Sequence, residues 1–198
     1  MRVLAKFKNK NSAETITQMA LYDLSANLRS TAVSALADFD HESVFEGILL
    51  ACADPTREVR AAAARSLFRL SFDRSEAWTR IAECEDDFRI VQAARAAIES
   101  DLVEKSIDRL VHEDEKYAYE AFALVALLIR AGETKEVFDV IQNSRDKSVK
   151  LAMLHVLKVV RDERMLPGVY SYIEQNSLPE DLSNAANEVI KSMELVAA

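Results

Sequence analysis

The chain has 198 residues, 49% of them apolar and 29% charged, with a formal net charge of −8. Its 29 alanines, against only three glycines and three prolines, exclude a collagenous fibre, a flexible linker and an all-β sandwich, and predict an all-α protein. Two cysteines cannot frame a small disulfide scaffold, and no apolar run reaches the ~18 residues of a membrane span.

Residues 1–11 form a basic lead-in, in which Arg2, Lys6, Lys8 and Lys10 come without an acid. A solvated arm or the start of a first helix is expected there. No secretory signal pattern opens the sequence. With its sparse cysteines, the chain is expected in the cytoplasm, either as a soluble protein or as the cytoplasmic part of a longer membrane protein.

From residue 12 onward a period of about 30 residues organises the chain. Its units span residues 12–40, 41–73, 74–100, 101–131, 132–161 and 162–195. Their anchors are Leu28, Val59, Ile90, Tyr119, Val149 and Leu182. Four positions on come Ala32, Ala63, Ala94, Ala123, Met153 and Ala186; eight positions on come Leu36, Leu67, Ile98, Leu127, Leu157 and Ile190. That spacing puts all three on one helical stripe, and the small middle residue lets a neighbouring helix approach closely.

Nine positions before the anchors lie Met19, Leu50, Ile81, Leu110, Val140 and Ile173. Twelve before lie Ile16, Gly47, Trp78, Ile107, Val137 and Tyr170, with Gly47 the one break in an apolar column. Each unit therefore reads as a pair of helices. Asp54-Pro55 and Gly132 mark turns, and Asp73 with Glu76 and Ser177 with Glu180 have the spacing of capping boxes. No segment alternates with a period of two, so strands are not expected.

The second unit carries DPTREVRAAAARSL over 54–67. This stretch resembles the HEAT repeat, in the short bacterial form named after phycobiliprotein lyases. The resemblance implies a right-handed α-solenoid of about six two-helix repeats, with an acid in the turn between the helices and an arginine early in the second. The acid position holds Asp23, Asp54, Glu85, Asp114, Ser144 and Ser177; the arginine position holds Arg29, Arg60, Val91, Glu120, Lys150 and Ser183. The ladder is thus complete in the first two units and loosens from the third.

Chemistry is sparse. His41-Glu42 and His112-Glu113 are similar to the His-Glu pairs of HEAT-like deoxyhypusine hydroxylases, but such a metal site needs four pairs in one register. These two differ in register and read as solvated helix-end histidines. Cys52 and Cys84 are expected to be buried structural thiols. Phosphate loops and nucleophile elbows are absent, so no catalytic, cofactor-binding or metal residue is assigned. HEAT-like alkylpurine glycosylases use a basic cradle, whereas the arginines between 57 and 95 are interspersed with acids; nucleic acid is an unlikely partner.

Surface recognition of a protein or peptide remains. In HEAT-like solenoids the second helices line the concave face. The position six after each anchor, expected to be exposed, holds Ser34, Arg65, Ala96, Val125, His155 and Glu188. Arg60, Arg65 and Arg69 suit a clamp for an acidic peptide; alternatively Arg60 bonds the turn acid Asp54 and the other two are solvated. Candidate partner-binding residues are therefore Arg60, Arg65, Arg69, His155 and Glu188. Phe122, Val125 and Ile129 form an apolar strip, either core in a shifted register or an exposed patch. The sequence reads as a non-enzymatic protein–protein interaction scaffold; the alternative is a subunit of a chromophore lyase or other protein-modifying enzyme.

Overall fold

The computed structural model describes residues 6–39, 43–70, 74–175 and 177–195. Every regular element among them is helical, as the composition predicts. No helix among the described residues is long and apolar enough to cross a membrane. The chain forms two compact units, Met1–Val103 and Glu104–Ala198.

The first unit contains α1 (Lys10–Tyr22), α2 (Ala26–Leu36), α3 (Ser43–Ala51), α4 (Arg57–Arg69), α5 (Arg74–Ala82) and α6 (Asp87–Glu99). A short α7 (Leu102–Ser106) lies where the units join along the chain. Polar side chains start these helices by taking up orphan N–H groups. Asn9 accepts from the Ser12 N–H before α1, Ser25 from Leu28 before α2, and Asp86 from Arg89 before α6. Before α4 the Asp54 carboxylate accepts from the Thr56 N–H at 2.7 Å, an Asx turn.

The close-contact column of the repeat is buried throughout: Ala32, Ala63, Ala94, Ala123, Met153 and Ala186 are all 2% exposed or less. Gly47, the break in the first-helix column, has a packing reason. A Cβ there would stand 2.6 Å from Thr17 Cγ2, so glycine lets α3 lie close on α1.

The first two pairs stack in parallel. The Ser66 hydroxyl of α4 donates to the Val33 carbonyl of α2, and Arg69 bridges to Asp38 at the same end, 2.8 Å away. At the other end Arg29 of α2 reaches Asp54 and Thr56 at the start of α4. The third pair is reversed. Arg57 and Arg60, in the first turn of α4, bond the backbone carbonyl and carboxylate of Glu99, the last residue of α6. Arg89, early in α6, pairs with Glu46, early in α3. Hence α6 runs antiparallel to α4, and the Arg-to-next-turn ladder stops after one rung.

The second unit holds a 3₁₀ turn (Ile107–Val111), α8 (Glu115–Ala131), α9 (Thr134–Asn143), α10 (Lys147–Val160), a 3₁₀ turn (Glu163–Met165), α11 (Leu166–Gln175) and α12 (Glu180–Glu194). The α8 helix packs on the first 3₁₀ turn and on α10, and α10 on α12. Lys147 and Asp181 pair at the starts of α10 and α12, which lie parallel. Gly132 ends α8 at φ 77°, with its own N–H and that of Glu133 returning to the Ile129 and Leu128 carbonyls; only glycine takes this left-handed position without strain. The close approach of α11 to α9 depends on Gly168, where a Cβ would stand 2.2 Å from the Phe138 ring.

Several details depart from the sequence reading. In place of a regular first helix in the fourth unit, the chain makes α7 and the 3₁₀ turn. In α8 the buried face is rotated by one residue: Tyr119 is 47% exposed while Glu120, Ala121 and Leu124 are buried. The same rotation buries Val125 and Ile129, so these two members of the apolar strip are core in a shifted register, while Phe122 is half-buried. Ala96 is buried too, and with Val125 it corrects the expectation that their whole column is exposed. In the last unit Val169 and Tyr172 are buried where Tyr170 and Ile173 were expected. The capping box at Ser177 is not formed, because α12 starts at Glu180 with Pro179 in the cap position. Asp73 lies outside the described residues.

Candidate partner-binding surfaces

The three arginines of α4 have three different surroundings. Arg60 is 8% exposed. Its Nε and Nη2 donate to the two Glu99 carboxylate oxygens at 2.7 Å each, and its Nη1 donates to the carbonyls of Asp54 and Pro55. The hydrogen bond to Glu99 raises the guanidinium's pKa further, and hydrogen bonds from Arg60, then Arg95, outweigh burial and hold the Glu99 carboxyl below its ordinary value. Arg60 thus takes the carbonyl of Asp54, while the Asp54 carboxylate belongs to Arg29. Arg69 is exposed and shares Asp38. Arg65 is exposed and forms no ion pair among the described residues. The geometry therefore leaves Arg65 open and holds Arg60 inside the fold.

Glu188 is exposed on α12 and pairs with Lys158 at 2.8 Å. His155 is exposed on α10 and lines an open groove of about 430 Å³ in the second unit. Leu110 of the 3₁₀ turn, Tyr119 and Phe122 of α8, and Ala152 and Val156 of α10 supply its apolar surface. The Tyr119 and Phe122 rings stack, with centroids 6.3 Å apart and planes 6° apart. Ala118 completes the α8 side, and Glu115 is the acid in the lining. Glu113 and Glu115 are exposed and neither is in an ion pair among the described residues. The repeat spacing predicts Tyr119 and Leu110 in the core; Tyr119 is 47% exposed, and the aliphatic anchor Leu28 is 41% exposed, so residue type in the anchor column does not mark the departure.

Next to this groove in sequence, Glu120 is 1% exposed. Neither of its carboxylate oxygens has a hydrogen-bond partner among the described residues, and Arg109 Nη1 stands 3.8 Å away. The Arg109 guanidinium also lies over the Tyr117 ring, 5.5 Å from its centroid. His112 accepts the Asp114 N–H through Nδ1 at 3.0 Å and meets Tyr117 edge-on. Its work is at the helix start, and His41-Glu42 lies outside the described residues. No group of three or more His, Cys, Asp or Glu suited to a metal occurs among the described residues. Cys52 is buried, and burial pushes its thiol pKa up to about 12. Cys84 is only half-buried, a correction to the pair of buried thiols expected.

No family model and no curated protein matches this chain. Among solved structures, an engineered protein is similar at 13% identity, with 98% of this chain and 96% of that chain covered and a TM-score of 0.31. The complex of CpcE and CpcF of phycocyanin lyase from Nostoc sp. is similar at 15% identity, with 98% and 86% covered and a TM-score of 0.33.

Proposed function

We propose that the chain is a non-enzymatic protein–protein interaction module built from about six HEAT-like helix pairs, acting in the cytoplasm. The observation that carries this reading is the open groove of the second unit, where stacked Tyr119 and Phe122 face Ala152, His155 and Val156. Concave apolar surface with a few polar groups is what a partner's side chains fill, and exposed aromatics supply most of the binding energy at such sites. Arg65, exposed on α4 of the first unit, is a separate candidate contact for an acidic partner, with Arg69 one turn away on the same helix.

The test is affinity co-purification from the native host with three proteins: the unaltered chain, Tyr119→Ser, and a variant with both Arg65→Ala and Arg69→Ala. A partner retained by the first and lost by Tyr119→Ser, at an unchanged melting temperature, is the expected result. Turnover of a substrate by the purified protein, or a stoichiometric adduct in a tetrapyrrole titration, would overturn this reading in favour of an enzyme subunit.

A further inference from the structure

The groove constrains its occupant chemically. Its wall is apolar apart from Glu115 and His155; Glu115 is an exposed carboxylate in no ion pair among the described residues, with Glu113 two residues before it and Lys116 one after. An occupant that fits offers an apolar side chain with cations on either side.

The chain itself carries such a segment. Among the described residues five large apolar side chains are more than half exposed: Phe7, Tyr22, Leu24, Phe88 and Leu195. Tyr22 and Leu24 flank Asp23, Phe88 follows Asp86 and Asp87, and Leu195 follows Glu194. Phe7 alone stands between cations. It is 58% exposed, between Lys6 and Lys8, which are exposed and form no ion pair among the described residues. A groove with an exposed carboxylate favours this segment over the other four, whose neighbours are acidic or, at Phe88 between Asp87 and Arg89, of mixed sign.

Resting on the protein-binding reading above, we propose that the groove is a self-association site: Lys6-Phe7-Lys8 of one copy docks in the groove of a second copy. The Phe7 ring packs against Tyr119 and Phe122, and Lys6 and Lys8 meet the carboxylates of Glu113 and Glu115. One aromatic and a few screened charges make a small contact, so the association should be weak, with a Kd of about 10–100 µM.

Light scattering and sedimentation equilibrium on the full chain, from about 5 to about 500 µM at low salt, test this. The weight-average mass should rise above the 22.2 kDa of one chain, and the association should weaken on adding salt, which shortens the Debye length from roughly 14 Å near 50 mM to about 4 Å near 500 mM. Phe7→Ser should weaken it about tenfold, the cost of one buried aromatic contact. Glu115→Lys should weaken it too, and Lys6→Glu with Lys8→Glu should restore it in that background. These positions are exposed, so each variant should keep the parent circular dichroism and melting temperature. A chain that stays monomeric throughout, or an association indifferent to Phe7→Ser, overturns the proposal. A monomeric chain whose Tyr119→Ser variant still loses a co-purified partner overturns this proposal alone and leaves the protein-binding reading standing.

Discussion

Arg29 and Arg60 occupy the same position of consecutive repeats, yet their partners lie at opposite ends of the next second helix. Arg29 crosses from α2 to the Asp54 turn at the start of α4. Arg60 reaches Glu99 at the end of α6. The apolar spacing that defines a repeat says which face of each helix is buried, but a helix packs with that face inward whichever way it runs. Direction is decided by the polar groups at the ends. At the third turn the acid is Glu85, an exposed residue, and the carboxylate that neutralises Arg60 comes from the other end of the helix.

The difference between the two stacking steps can be broken most directly by distance. With Cys84 replaced by serine, spin labels at Glu58→Cys and Arg95→Cys should lie closer than labels at Glu58→Cys and Asp87→Cys, by up to about 12 Å for eight residues of helix. Equal or reversed distances would return α6 to a parallel stack. The largest energetic effect is expected at the reversed step: Glu99→Ala leaves Arg60 buried without its counter-charge and should cost on the order of 2–3 kcal/mol by chemical denaturation. At the parallel step, Gly47→Ala should cost on the order of 1 kcal/mol, because the contact with Thr17 exceeds the ~1 kcal/mol gained in helix propensity.

Acid titration compares both steps at once. Glu99 is held below its ordinary 4.5 chiefly by Arg60; for Asp54, hydrogen bonds from Arg29 and the Thr56 N–H outweigh burial and hold it below 3.8. Their stabilisation is therefore complete above the ordinary values and is lost as pH falls through the lower folded ones. Glu99→Gln should flatten part of that acid slope, and an unchanged slope would place the acid sensitivity elsewhere. The smallest effect belongs to Asp38→Ala, which removes an exposed pair with Arg69 and should leave the melting temperature unchanged within error.

Much of the fold was legible because burial imposes a period. The all-helical class and the whole buried column from Ala32 to Ala186 follow from composition and spacing. What escaped was rotation and direction. A one-residue turn of α8 exchanged Tyr119 for Glu120 in the core, and no local pattern announces a buried carboxylate that has no hydrogen-bond partner among the described residues. Of the candidate contact residues, His155 could be placed on a groove only once Leu110 and Tyr119 were seen on its walls. Arg60 looked available because an arginine's spacing does not reveal how many of its donors are already engaged.

Cys52 has a use that follows from its burial. Its thiol, pushed up to about 12 at the end of α3, is protonated and enclosed at neutral pH, so it does not react while its surroundings stay shut. Each encounter with an aromatic disulfide reagent then records an opening of the helices around it. With the half-buried Cys84 replaced, the native chain holds a single-site clock for local unfolding in its first unit, read out in a spectrophotometer without any added label.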